Sequence, residues 1–398
     1  MTAAAETQSL KRTPLHPLHR ELGARMGPFA GYVMPIHYPL GVLKEHLHTR
    51  QAAGLFDISH MGQIALHPKT DLGLLVAALE RLLPIDVVGL QPGRQRYGFL
   101  TNIQGGIIDD CIVANRGDCF LLVVNASRKN VDEQHLRTHL VDVGTVEPVS
   151  ERALLAVQGP AAETVLARLA PFIKNMRFMD ITEVTLAGVT AVVSRSGYTG
   201  EDGFEISVPA EQAEKLARLL LQHREVAFIG LGARDSLRTE AGLCLYGADL
   251  NEATTPVEAG LEWAIQKVRR RGGGRAGGFF GTDIVLRELE RGPRRRRVGL
   301  LPQERVPVRG GASLFFGPSA DTLVGSVTSG LYGPSVGAPV AMGYVDPSRA
   351  SPGTRLWAEV RGNPVPVLVT TPPFVPHRYK TLTNMVEPHD HAEIYQGP

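Results

Sequence analysis

The residues best equipped for chemistry lie in the string SGYTGEDGFEIS, residues 196–207. Gly197, Gly200 and Gly203 permit a tight turn, and Tyr198, Glu201, Asp202 and Glu205 supply polar groups beside it. Glu205 sits between Phe204 and Ile206 in an expected strand over residues 204–208. A carboxylate fixed in a strand just after a glycine-rich turn is well placed to meet a ligand; the plain alternative is a hairpin whose acids are solvated. A second acidic pair, Asp109 and Asp110, interrupts the apolar run of Ile107, Ile108, Cys111, Ile112 and Val113. Strand side chains alternate faces, so at least one of these carboxylates points towards whatever its neighbours bury. An unpaired buried carboxylate is costly or shifts its pKa. Either a partner satisfies it, or it has a chemical task, or the strand end is wet and both acids are solvated. Arg234 and Arg238 share one helical face, which is either a salt-bridged surface or a forked anchor for a carboxylate or carbonyl.

Several elements must position these groups. Residues 55–66 read as a strand containing Met61. Asp71 caps a helix whose apolar residues Leu72, Leu75, Val76, Leu79, Leu82 and Leu83 end before Pro84. Residues 96–115 read as strand, glycine turn, strand, with Asn115 at the far end. Residues 119–125 and 153–158 read as further strands, and a helix follows Pro160. Mixed strands, helices and hairpins indicate an α+β arrangement and not a doubly wound parallel sheet. No dinucleotide or P-loop fingerprint is present. From Arg297 onward, short strands rich in Gly, Pro and Val indicate a small all-β barrel or sandwich that ends in a proline-guided segment with Tyr379. Residues 266–278, rich in Arg and Gly, read as a flexible linker. Its arginines and those at 294–297 suit RNA or an acidic protein partner. A net charge of +2 and the lack of interleaved aromatics make the protein partner at least as good a match.

At 398 residues the chain is too long for one ordinary core. Its 43% hydrophobic and 21% charged residues are those of a soluble globular protein. Cys111, Cys119 and Cys244 form no Cys-x-x-Cys motif and read as buried thiols in a reducing compartment, the cytoplasm by default. No membrane-spanning run and no apolar leader are visible. His16, His19, His37, His46 and His48 invite a metal reading, but their spacing matches no ligand motif.

Taken together, the strings LHTRQAAGLFDISHM, GGIIDDCIV, LLAVQGP, GYTGEDGFEIS, GLGARDSLRTEAGLCLYGADL, TTPVEAGLEWA, VTSG, VAMGYV and PPFVP resemble the aminomethyltransferases, or T-proteins, of the glycine cleavage system. The resemblance runs in order over nearly the whole chain. It implies a three-domain cloverleaf around a folate pocket. Two interleaved α+β domains would occupy residues 1–265, the second over approximately 55–140. The linker and a connecting helix would span 266–290, the β-barrel 291–385 and a disordered tail 386–398. The implied partners are tetrahydrofolate and lipoylated H-protein, with no nucleic acid, membrane, metal or cysteine nucleophile. By the same resemblance Asp110 matches the catalytic aspartate, with Asp109 facing away. Glu205 would accept from the pterin edge, Arg234 would contact folate, and Tyr379 would reach it from the C-terminal domain. Met61, Tyr198 and Asn115 are lesser candidates for the pocket wall. Glu201 and Asp202 read as turn-forming, partly solvated acids. A folate-dependent demethylase of a methylated amine or sulfonium, or a non-enzymatic folate-binding protein, would share the fold.

Overall fold

A computed structural model describes residues 10–381; the expected tail at 386–398 lies outside them. The central architecture is two sheets. One has six strands in the order Ile181–Leu186, Val189–Ser194, Gly203–Pro209, Arg152–Gln158, Ala53–Asp57, Val226–Phe228. The other has five, in the order Arg94–Thr101, Ile107–Asn115, Phe120–Val124, Gly62–Pro68, Gly144–Pro148. The chain thus leaves the first sheet after Asp57, builds the whole second sheet, and returns at Arg152. A three-stranded sheet, Lys11–Arg12, Tyr32–His37 and Arg25–Phe29, precedes them. A closed barrel of six strands from Arg296–Pro302 to Asn363–Thr370 follows. The α+β class and the C-terminal barrel agree with the sequence reading.

The strand expected over 55–66 is in fact two, Ala53–Asp57 and Gly62–Pro68, which belong to different sheets. The break is local chemistry: the Asp57 carboxylate accepts the Ser59 backbone N–H at 2.9 Å, and Met61 N–H closes on the Ile58 carbonyl at 3.0 Å. An aspartate that satisfies the backbone two residues on competes with the strand ladder. Met61 therefore lies in a turn between the two sheets. The Leu72–Leu82 helix forms as expected, with Asp71 accepting from Leu74 N–H and Leu75, Leu79 and Leu82 fully buried.

The arginine- and glycine-rich stretch is not a flexible linker. Arg269 is buried, donates to the Glu80 and Arg275 carbonyls at 2.6 and 2.7 Å, and pairs with the Glu80 carboxylate at 3.0 Å. Arg275 binds Glu80 and Asp86, and Glu80 also accepts the Val87 and Val88 N–H groups. Glycine composition hid this, because the anchoring carboxylates lie about 190 residues away in the chain. Of the other arginines in the two clusters, Arg271 pairs with Glu290, Arg295 with Glu258 and Arg296 with Glu262. Removing the carboxylate in Glu80→Ala strands the Arg269 charge. The expected loss is roughly 3–5 kcal/mol, read as a lower urea midpoint.

Two buried knots fix the barrel against the rest. Arg238 donates to Asp249 at 2.6 Å and to Ser329 of the barrel at 2.9 Å. Glu240 receives Arg50 at 3.0 Å and the Ser335 N–H at 2.7 Å, with His46 beside it at 3.0 Å. His46 and His19 are spent on such contacts, His19 bonding Asp57 at 2.8 Å, so neither is placed as a metal ligand.

Candidate active site

The alternation of the Ile107–Asn115 strand decides where its two acids go. A bulge leaves Ile108 without a cross-strand partner, so Leu100 faces Asp109 and Phe99 faces Asp110. Bulges re-aim side chains. From there Asp109, Cys111 and Val113 point towards the helical side, where Cys111 and Val113 pack with Leu75, Leu79, Leu136 and Leu140. Asp110, Ile112 and Ala114 point the other way. Ile112 and Ala114 line a cavity against Leu154, Val192, Ser194, Glu205 and Ser207 of the six-stranded sheet. The Gly203–Pro209 strand makes the complementary choice: Phe204, Ile206 and Val208 enter the core, while Glu205 and Ser207 face the other sheet. Glu205 thus enters the cavity between the sheets, and Asp110 lies on the strand face that lines it through Ile112 and Ala114.

Asp110 is held from two sides. Tyr97 O–H, a diagonal neighbour on the adjacent strand, donates to Oδ2 at 3.0 Å, and Asn125 Nδ2 donates to Oδ1 at 2.7 Å. Burial, and then the adjacent Asp109 carboxyl, push the Asp110 carboxyl up to about 7 against these two donors. Tyr97 stacks on Trp263 with ring centroids 5.4 Å apart, and Trp263 is 61% exposed, so this pair forms a mouth.

Glu205 accepts from Ser196 Oγ at 2.8 Å. Burial raises its pKa, and Arg234 and the Ser196 hydroxyl oppose that. Arg234 comes from the first turn of the Leu231–Glu240 helix and lies 4.8 Å over the Tyr198 ring. Its Nη1 is buried without a hydrogen-bond partner, and it closes no salt bridge with Glu205 among the described residues. Tyr198 donates to the Cys244 carbonyl and lies within the electrostatic reach of Asp110, Arg234 and Arg238. His60, next to Met61, is also buried with Nδ1 unmet; burial and then Arg234 lower it to about 4. An unsatisfied guanidinium nitrogen with a neutral imidazole and a carboxylate in its electrostatic reach offers donors and acceptors to a polar ligand.

The structure therefore brings Asp110, Tyr198, Glu205 and Arg234 together, with Met61 half-buried at the edge beside His60. It does not bring Asn115, whose side chain donates to the Leu90 carbonyl at 2.7 Å and accepts Gly117 N–H, closing a turn at the far end of the strand. Tyr379 is stacked 4.2 Å from Phe178 in the field of Arg50 and Glu201. Glu201 is not solvated: it is 1% exposed and pairs with Arg50 at 3.0 Å and Arg378 at 3.2 Å. Asp202 pairs with the buried Arg195. These pairs clamp the glycine-rich turn, where Gly200 has φ +79° and an added Cβ would meet Ala241 at 2.9 Å. Sequence reasoning missed Tyr97, Asn125, Ser196 and His60. Tyr97 lay in view, because an aromatic hydroxyl two positions off an acid's cross-strand partner is a natural donor. Asn125 is reached only through folding of the next hairpin.

The profile described as the GCVT N-terminal domain matches residues 15–269, and that of the glycine cleavage T-protein C-terminal barrel domain matches 295–376. The chain belongs to the glycine cleavage T-protein family. It is 45% identical over 380 residues to the mitochondrial aminomethyltransferase of Gallus gallus, covering 94% of each chain. It is 42% identical over 395 residues to that of Dictyostelium discoideum, covering 95% and 96%. The crystal structure of the glycine cleavage system aminomethyltransferase T from Bartonella henselae superposes with a TM-score of 0.87 at 45% identity, covering 94% of this chain and all of that one.

The acids behind the site also predict a pH dependence. Asp109 is pushed up to about 9 and Asp110 to about 7, so the folded chain binds more protons than the unfolded one above pH ~4. That stabilisation is complete below about pH 4 and is lost as pH rises towards 9. Melting temperature is expected to fall from pH 6 to pH 9, and Asp109→Asn to flatten the decline.

Proposed function

We propose that this chain is an aminomethyltransferase that transfers the methylene of the aminomethyl group on lipoyl H-protein to tetrahydrofolate. The products are 5,10-methylenetetrahydrofolate, ammonia and dihydrolipoyl H-protein. The observation that carries the assignment of the site is the chain of groups around Tyr198, which lies within electrostatic reach of both Asp110 and Arg234, with the unmet Arg234 nitrogen in turn beside Glu205. A pterin edge offers an amino group and a ring N–H side by side, and a carboxylate accepts both at once. Glu205 has that role in our reading, and Arg234 meets a ligand carbonyl. Two tetrahydrofolate nitrogens end bonded to the methylene, each giving up a proton, while the lipoyl sulfur leaves as the thiol and the amino group leaves as ammonia. Asp110 holds and receives a proton as one of these nitrogens gives it up; a carboxyl near 7 is matched to this at neutral pH. Tyr97 and Asn125 fix its direction. Tyr198 and Met61 wall the space, and Tyr379 reaches it from the C-terminal domain. Asn115 drops out of the site. Much of the rate comes from holding the reactants together in a dry recess.

No helix of the described residues is long and apolar enough to cross a membrane. Three free thiols suit a reducing compartment. The cytoplasm is our reading, while the names of the eukaryotic relatives above place those proteins in mitochondria.

Turnover is tested with lipoylated H-protein and tetrahydrofolate, after a binding titration of tetrahydrofolate alone. Saturable binding and methylene transfer are expected; absence of tetrahydrofolate binding would overturn the proposal. Since ionised Asp110 is the receiving form, kcat/KM is expected to fall as pH drops below about 7.

A further inference from the structure

Behind Asp110 lie two carboxyls that the reaction above leaves unused. Asp109 and Asp132 are both 0% exposed. Asp132 stands in the first turn of the Lys129–Leu140 helix, which packs over the strand that carries Asp109. No N–H or O–H of the described residues donates to either Asp132 oxygen; the group in hydrogen-bonding reach is the Asp109 carboxyl. Asn125 ties this pair to the active site. Its backbone N–H donates to Asp109 Oδ2 at 3.0 Å, and its Nδ2 reaches Asp109 Oδ1 at 2.9 Å and Asp110 Oδ1 at 2.7 Å. Two carboxylates in contact inside a core repel unless a proton lies between them.

We infer that Asp109 and Asp132 share one proton, which keeps the carboxyl next to Asp110 uncharged and leaves Asp110 free to ionise alone at the reacting centre. They are positioning residues that act through Asp110, and the inference rests on the role proposed for Asp110. The other groups facing the pair are Cys111 on the same strand, Arg128 before the helix, and Tyr246 from the segment opposite. Tyr97, Tyr198 and Cys244 face Asp110. Among these only Arg128 is a cation, and it is already engaged with the Ile108 carbonyl and with Glu252. It does not replace the proton.

The two variants predict different results. Asp132→Asn supplies a fixed N–H to Asp109, which then ionises beside Asp110; the Asp110 midpoint rises by about one pH unit. Asp109→Asn makes that neighbour permanently neutral, as the shared proton already does, and the midpoint stays near that of the wild type. The readouts are carboxyl-carbon NMR titration of aspartate-labelled full-length protein, assigned with Asp110→Asn, and the pH profile of kcat/KM with lipoylated H-protein. Asp132→Glu restores a carboxyl and is expected to return the midpoint towards wild type, a rescue that packing damage alone would not give. A midpoint that stays fixed in Asp132→Asn, or one that falls in Asp109→Asn as it would if Asp109 carried charge in the wild type, would overturn the shared proton. The NMR midpoint does not depend on turnover. If Asp110→Asn kept full activity, the proposed role of Asp110 would fall, while a midpoint raised in Asp132→Asn and unmoved in Asp109→Asn would still establish the proton between Asp109 and Asp132.

Discussion

Asp110→Asn is expected to lower turnover by about 10²–10⁴-fold, the range for removing a positioned acid or base, while tetrahydrofolate affinity stays close to wild type. The substitution keeps the shape of the side chain; its amide oxygen can still accept from Asn125, and its N–H can donate to the Tyr97 hydroxyl, which reverses that contact. What it removes is the ability to carry charge and take a proton. Loss of kcat with an unchanged binding titration separates a group that acts in the transition state from one that binds ground state and transition state alike. Near-normal turnover would exclude the role.

Glu205→Ala is expected to act on the other parameter. A charge-assisted hydrogen bond contributes about 1.5–3 kcal/mol, so tetrahydrofolate affinity is expected to drop roughly 10- to 150-fold. The Ser196 hydroxyl would lose its acceptor, and the Arg234 charge would lose its nearby opposite. Isothermal titration with tetrahydrofolate reads this directly, and an unchanged affinity would remove Glu205 from the pterin. Because Phe204 and Ile206 anchor the strand on its opposite face, the fold is expected to survive.

Much of this site was legible in the sequence because strand alternation is a strict rule. Once residues 96–115 and 204–208 read as strands, alternation put Glu205 opposite Phe204 and Ile206 and said that one of Asp109 and Asp110 points inward. The choice of Asp110 came from the family resemblance, because apolar residues flank the pair on both faces and a bulge resets the register there. The two arginines of the Leu231–Glu240 helix show the limit. Their spacing placed them on one face, yet Arg234 looks into the recess and Arg238 is consumed by Asp249 and Ser329, partners that no local pattern reveals. Glu201 failed for the same reason, since its cations, Arg50 and Arg378, come from opposite ends of the chain. Residues 266–278 failed because glycine content speaks of local freedom and says nothing of a distant carboxylate such as Glu80. Local periodicity was informative about direction, and long-range polar pairing was not visible to it.

The route of the chain through its two sheets gives the site a history during synthesis. The five-stranded wall, with Asp110, has all its strands once residue 148 is made, whereas the six-stranded wall, with Glu205, awaits the strand ending at Phe228. At ribosomal rates of about 5–20 residues per second, the gap is roughly 4–16 s. For that interval the sheet face that carries Ile112 and Ala114 has no partner sheet to cover it.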